Sequence, residues 1–363
     1  MKAISPLAIS EPTGIVNQGA LHRFAKKKPA WGQVQIPAVF PGNFQEAVTL
    51  NKRGIILTPA DFNGVDYLKL MKETELNTLG IHSGGGANHD LFARLGRFAT
   101  PEFRAEVSAA GIACEYETHA TSALMDSALF PVHPEYFAVD VKTGERTCKL
   151  NWCITHPDVP AIISDNAEKL ARRLPSSTHR YYFWCADLRD ANCRCPACSR
   201  YSVADLQLKS VNAIAAGLRR VDPLAEISYL AYLDLDQPPV CTEPADGVFL
   251  EFAPIHRSYT ESITDAVNGK FRRSFEALTG FFGSEKCCIL EYWLDSSFFS
   301  QWKKPAVRPI FSDTVLRRDL DYYLATGAHA VTTFAVYMDG EYYKTYGDEE
   351  LRQYAATLKE YLP

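Results

Sequence analysis

Acidic residues stand where this sequence would otherwise be apolar. In Val248-Phe249-Leu250-Glu251-Phe252 and in Ile289-Leu290-Glu291-Tyr292-Trp293 a glutamate interrupts a run of strand-forming residues, and Asp187 follows the run Tyr181-Tyr182-Phe183-Trp184. A carboxylate in such a place must face a polar interior or find a partner. Two carboxyls facing one cleft are what glycoside hydrolysis needs, one to protonate the leaving oxygen and one to activate water or attack the sugar. Asp187, Glu251 and Glu291 are therefore the candidate catalytic acids. Taken singly, each is as readily a structural carboxylate bonded to Arg257, to a tyrosine or to backbone amides; taken together they raise the catalytic reading to an even footing.

Side chains suited to holding a sugar lie nearby. Sugar rings stack on aromatic faces, and their hydroxyls bond to Tyr, Asn and acids. The candidates are His82, His119, Asn151, Tyr232, Arg257, Tyr292, Asp295 and Trp302, with Tyr232 and Trp302 placed at the mouth of the site. Arg257, with His256, would serve as the cationic partner of a carboxylated sugar. The turn His82-Ser83-Gly84-Gly85-Gly86 lacks a following Lys-Ser or Lys-Thr, so it reads as a substrate-facing loop rather than a phosphate cradle.

Cys193-x-Cys195-x-x-Cys198 brings three thiols into close spacing. A tetrahedral zinc would need a fourth ligand, for which Cys185, Cys241 or a histidine are the candidates. A structural zinc, free thiols and a disulfide all stay open for this cluster. The acid chemistry requires no cofactor, and no HxH or HExxH pattern points to a catalytic metal.

These residues need a frame to bring them together. From Arg53 onward, short β-branched or aromatic runs alternate with longer segments of helical period, the pattern of parallel strands with crossover helices. The strand candidates are Gly54–Thr58, Asn77–Ser83, Ile112–His119, His179–Asp187, Glu226–Tyr232, Gly247–Pro254, Lys286–Asp295 and Ala328–Asp339. Eight such units predict an α/β fold, a (β/α)8 TIM barrel over residues 53–363, with its reacting groups at the C-terminal ends of the strands. A doubly wound open sheet is the alternative, and it lacks the Gly-rich phosphate turn after its first strand. Residues 1–52 are rich in Pro and Gly without a sustained period and read as a short irregular N-terminal arm or cap. The long stretch after the third strand, residues 120–177, reads as a loop region plus one helix.

Composition narrows the function classes. The chain has 363 residues, is 47% hydrophobic and carries a net charge of −5. Its one basic run, Lys26-Lys27-Lys28, has no aromatic ladder beside it, so a nucleic-acid partner is not expected. No apolar stretch approaches the roughly 20 residues of a membrane span, and no signal core opens the chain, so a cytoplasmic protein without a membrane partner is expected. The cysteines lie partly inside strand-like runs, which fits a reducing compartment. Nothing in the sequence sets an oligomeric state.

Arg53-Gly54-Ile55-Ile56-Leu57, followed by a helix and Asn77-Thr78-Leu79-Gly80-Ile81-His82, resembles the opening of β-hexosaminidase and α-glucuronidase barrels. Phe130-Pro131-x-His133-Pro134-Glu135-Tyr136-Phe137, Asp187 with the Cys193–Cys198 cluster, Tyr229-Leu230-Ala231-Tyr232 and Glu291-Tyr292-Trp293-Leu294-Asp295 resemble the bacterial domain of unknown function 4838. The resemblance implies an acid after the fourth barrel strand and base carboxylates after later strands, hence Asp187, Glu251 and Glu291. The chain departs from α-glucuronidases in having Asp where they carry a Glu acid, and in its cysteine cluster. The expected function is a glycoside hydrolase acting on oligosaccharides, including those with uronic acids. The alternatives are a barrel that binds carbohydrate without cleaving it, and a metal-dependent lyase or isomerase using His82, His119 and the acids.

Overall fold

A computed structural model describes residues 49–86 and 89–362. Among the described residues ten strands form: β1 (Lys52–Leu57), β2 (Thr78–Ile81), β3 (Ala113–His119), β4 (Phe137–Val139), β5 (Arg146–Trp152), β6 (Arg180–Trp184), β7 (Glu226–Ala231), β8 (Val248–Phe252), β9 (Cys288–Glu291) and β10 (Ala330–Phe334). Eight of them close into one barrel in the order β1-β2-β3-β6-β7-β8-β9-β10. Every pairing around the ring is parallel. The protein is a (β/α)8 barrel, and each of the eight runs read from the sequence supplies one of its strands. The first strand begins at Lys52; the arm expected before it falls almost wholly outside the described residues.

One element departs from expectation. The stretch between β3 and β6 is not only loop: β4 and β5 pair antiparallel as a hairpin. β5 reads Arg146-Thr147-Cys148-Lys149-Leu150-Asn151-Trp152, with little hydrophobic contrast along it, so its strand character comes from its partner rather than its pattern.

The long crossover helices lie outside the ring and turn an apolar face to it. The helix Asp313–Ala325 buries Leu316, Leu320, Tyr323 and Leu324, and Ser312 caps it by accepting a hydrogen bond from the Val315 amide. The helices Val159–Arg173 and Val203–Leu218 approach so closely that a Cβ on Gly217 would lie 2.0 Å from the Ser164 carbonyl oxygen. Only glycine fits there. Among the described residues, no helix is long and apolar enough to cross a membrane.

Strand alternation sends every second side chain into the ring. There, unusually, it buries charge. Lys52 Nζ sits 2.5 Å from Glu115 and 3.4 Å from Glu117, and donates to the Tyr182 hydroxyl at 2.9 Å. Glu251 joins this interior through Trp184, whose Nε1 donates to its Oε2 at 2.7 Å. One ammonium faces three carboxyls, so the interior cannot hold all of them ionised. Burial, opposed by Lys52 and reinforced by Glu115, pushes Glu117 up to about 7. Burial and the Glu117 charge push Glu251 well above the carboxylate range. Burial and its carboxylate neighbour thus favour the protonated form of Glu251 in the barrel interior.

Candidate active site

A cavity of about 570 Å3 opens at the C-terminal ends of the barrel strands. All eight contribute to its lining, from Thr58 after β1 to Val336 after β10. This is where a parallel barrel gathers loop-borne side chains around one depression.

His82, His119 and Trp184 form much of its floor. His82 Nδ1 lies 2.7 Å from the Glu117 carbonyl oxygen and His119 Nδ1 lies 2.6 Å from that of Cys185. A carbonyl can only accept, so each Nδ1 carries the proton and each Nε2 is left with its lone pair. Burial, with His119 adding to it, lowers His82 to about 3; burial likewise lowers His119. Both imidazoles are neutral. They meet Trp184 at ring-centroid distances of 5.8 and 5.2 Å, and Tyr292 stacks on Phe334 at 5.3 Å beside them.

Among the described residues, two carboxyls reach this cavity, Asp187 and Asp295. Asp187 follows β6 on a loop held on both sides. The Ala186 amide donates to Asn151 Oδ1 at 2.8 Å, and the Asp190 amide donates to Asp234 at 2.9 Å. A Cβ on Gly85 would fall 2.3 Å from Asp187 Oδ2, so the Gly-rich turn after β2 leaves the space in which that carboxyl lies. Asp295 is 4% exposed and caps the short helix Ser296–Phe299. Its Oδ1 accepts from the Ser297 hydroxyl at 2.6 Å, the Ser297 amide at 3.1 Å and the Phe298 amide at 3.3 Å. Burial outweighs those bonds and raises Asp295 to about 7. Tyr232 links the two acids. Burial, then Asp187, which it hydrogen-bonds, then Asp295 push its phenol far above the ordinary range. Tyr292 also feels both carboxyls.

The structure does not bring together the three acids expected to converge. Glu251 lies beneath the floor, behind Trp184. Glu291 faces the helix layer: Arg257 Nε reaches both its oxygens at 3.1 Å, and the Tyr323 hydroxyl donates to it at 2.6 Å. The cause is parity. Leu290 and Tyr292 line the cavity, so the residue between them points outward. Arg257 is also misplaced by the sequence reading. It is 3% exposed and bonds Asp319 at 2.5 Å as well as Glu291, so it is not free to meet a carboxylated sugar. Burial opposes its charge, but Glu291 and Asp319 hold its pKa above the usual range. Asn151 lies beside a smaller adjoining cavity, where it anchors the Asp187 loop.

His82, His119, Tyr232, Tyr292, Asp295 and Trp302 all line the main cavity. Sequence reasoning missed Leu233 and Tyr337, which line the cavity beside the expected Trp302. Leu233, Trp302 and Tyr337 line the cavity with positive φ values of 53°, 56° and 72°, a backbone state costly for side-chain-bearing residues and frequent at functional sites. Asp61, 1% exposed, accepts from the Tyr337 amide at 2.7 Å and so steadies one of them. No local pattern marks Tyr337, whose amide is held by Asp61, 276 residues away in the chain.

Among the described residues, one group of histidines, cysteines and acids has ligand atoms all within 4.8 Å of one another: Cys153, Cys193, Cys195 and Cys198. The fourth thiol beside the predicted three is Cys153, after β5, and not Cys185, Cys241 or a histidine. His82, His119 and the mouth acids do not form such a group.

The family model for a domain of unknown function, DUF4838, matches residues 72–362. The chain belongs to the DUF4838 family. No curated protein matches its sequence. Among solved structures the DUF4838 chain is similar to Gan42B, a GH42 β-galactosidase from G. stearothermophilus, with TM-score 0.51 and 11% identity over 87% of this chain. It is similar also to the cold-adapted β-galactosidase of Rahnella sp. R3, with TM-score 0.50 and 11% identity over 86% of this chain. The chain spans 57% of the length of each of these enzymes. At this identity the likeness is one of fold, that of barrels that carry glycosidases.

Proposed function

We propose that this DUF4838 protein is a glycoside hydrolase whose two working carboxyls are Asp187 and Asp295. One observation carries the proposal: two acids, on the loops after β6 and β9, line one aromatic-lined cavity at the barrel mouth, where Tyr232 hydrogen-bonds Asp187 and feels the charge of Asp295. Hydrolysis of a glycosidic bond needs a protonated carboxyl beside the leaving oxygen and a second carboxyl at the anomeric carbon. Asp295, raised to about 7, keeps its proton near neutrality and suits the first role. Asp187 takes the second, activating water or attacking the sugar. This reverses the roles implied by the resemblance, which puts the acid after the fourth barrel strand.

The electrostatics favour a neutral sugar over a uronate. Arg189, the arginine of the lining, is engaged with Asp234 at 2.6 Å. Burial, helped by Arg189 and Lys270, lowers the His256 pKa and disfavours its cationic form. A substrate carboxylate would therefore face Asp187 and Asp295 without a free cation among the described residues. Trp302, at the rim and 61% exposed, offers a face for a sugar ring.

A panel of aryl glycosides and uronides tests the proposal. Turnover of a neutral glycoside is expected. Asp295→Asn should slow poor leaving groups far more than activated aryl ones, because only the former need the proton. Asp187→Asn should slow both. Ligand binding without turnover on every glycoside would favour a carbohydrate-binding barrel instead.

A further inference from the structure

We propose that Cys153, Cys193, Cys195 and Cys198 bind one zinc ion as thiolates, and that this ion pins the loop carrying Asp187 to the β4–β5 hairpin. The four thiols come from two separate segments, one following β5 and one following β6, and all four are buried. Cys153 Sγ lies 3.6 Å from Cys195 Sγ and 3.8 Å from Cys198 Sγ. A tetrahedral ion with zinc–sulfur bonds of about 2.3 Å separates its sulfurs by about 3.8 Å. A disulfide would need about 2.05 Å, and Cys153, Cys193, Cys195 and Cys198 form none. Both separations fit a mononuclear tetrathiolate, and all four sulfurs lie within 4.8 Å of one another.

The surroundings suit its charge. Binding releases four thiol protons to solvent and leaves a centre of net charge −2, which calls for hydrogen-bond donors around the sulfurs. The Val139 amide points to Cys193 Sγ at 3.3 Å, and the Cys195 amide reaches the same sulfur at 3.5 Å. The Cys198 amide reaches Cys195 Sγ at 3.5 Å, and the Thr155 hydroxyl lies 3.1 Å from Cys198 Sγ. Three of these donors are backbone amides already aimed at sulfur.

The site also has a place in the architecture. The Arg194 amide bonds the Val139 carbonyl at 2.9 Å, and the Asn151 amide bonds the Ala191 carbonyl at 3.1 Å, so the loop after β6 lies along the hairpin. Asn151, two residues from Cys153, holds the Ala186 amide next to Asp187. The metal ties both ends of that contact. Zinc binding is independent of the glycosidase proposal, which supplies only the role of the residue being positioned.

The test begins with elemental analysis of the full-length protein purified under reducing conditions. About one zinc per chain is expected. Cobalt(II) exchanged into the protein should give the thiolate charge-transfer and visible bands of a tetrahedral tetrathiolate. Cys153→Ser should lose the ion, whereas Cys241→Ser, at the exposed cysteine outside the cluster, should keep it. Wild-type protein that holds neither zinc nor cobalt overturns the proposal even where Cys153→Ser fails to fold, and one iron per chain overturns the choice of zinc. Hydrogen exchange after chelation tests the pinning: residues 150–155 and 186–199 should exchange faster while β8, β9 and β10 stay protected. Unchanged exchange in those segments overturns it, whether or not the protein cleaves glycosides.

Discussion

Glu291 and Asp295 lie four residues apart at the end of one strand and in the loop that follows it, yet they inhabit different regions of the molecule. Glu291 faces the helix layer and is closed off by Arg257 and Tyr323; Asp295 faces the barrel mouth and is bonded on one oxygen only by its own helix turn. The same division separates Glu251, hidden under Trp184, from Asp187 in the open cavity. An acid that interrupts an apolar strand is thus a sign of an internal partner. The acids that can meet a ligand stand just past the strands, where the chain turns and the pattern dissolves.

That contrast predicts opposite responses to the loss of charge. Asp187→Asn and Asp295→Asn should each cut turnover about 10²–10⁴-fold with the fold kept. Glu291→Gln leaves Arg257 buried without its carboxylate partner and should cost about 3–5 kcal/mol of stability in chemical unfolding. Its folded fraction should retain near-normal kcat. Glu251→Gln replaces an acid whose burial favours the protonated form and should change neither quantity by more than about 1 kcal/mol. A Glu251→Gln enzyme as dead as Asp187→Asn would erase the division drawn between the two regions.

Asp295 sharpens the contrast through pH. Its folded pKa is raised from 3.8 to about 7 by burial. Between those values the folded chain keeps a proton that the unfolded chain has lost, so Asp295 makes stability fall as pH rises through that window and level off above it. Asp295→Asn removes this penalty and should stabilise the protein at pH 8 by roughly 1–4 kcal/mol while having little effect near pH 4. Unfolding curves of the two proteins at both pH values check it. A variant less stable at pH 8 would mean that the carboxyl is not held protonated by burial.

Smaller effects probe the walls. Gly85→Ala puts a methyl where Asp187 Oδ2 lies and should lower kcat about 10–100-fold at nearly unchanged stability, since misplacing a reacting group costs rate rather than packing. Trp302→Ala should raise KM severalfold with kcat little altered, as expected of a stacking surface that holds substrate and transition state alike.

The sequence made the ring legible. Apolar runs at strand length, separated by helix-length segments, leave few arrangements that bury both faces of eight strands, and His82, His119, Tyr232, Tyr292 and Trp302 could be placed at the mouth from their positions after or at the ends of those runs. It could not decide which face of a strand each acid takes, because a shift of one residue reverses every side chain and nothing local in Ile289-Leu290-Glu291-Tyr292-Trp293 records the register. Arg257 illustrates the same limit. Its charge was plain, but its partners Glu291 and Asp319 lie 34 and 62 residues away and only the closed barrel brings them together. Cys153 is further still from a sequence signal, standing alone 40 residues before Cys193 until the β4–β5 hairpin folds against the loop after β6. Periodicity, being local, fixed the kind of element and the family of fold; pairing partners, buried charges and the meeting of Asp187 with Asp295 depend on contacts distant in the chain, which only the tertiary structure decides.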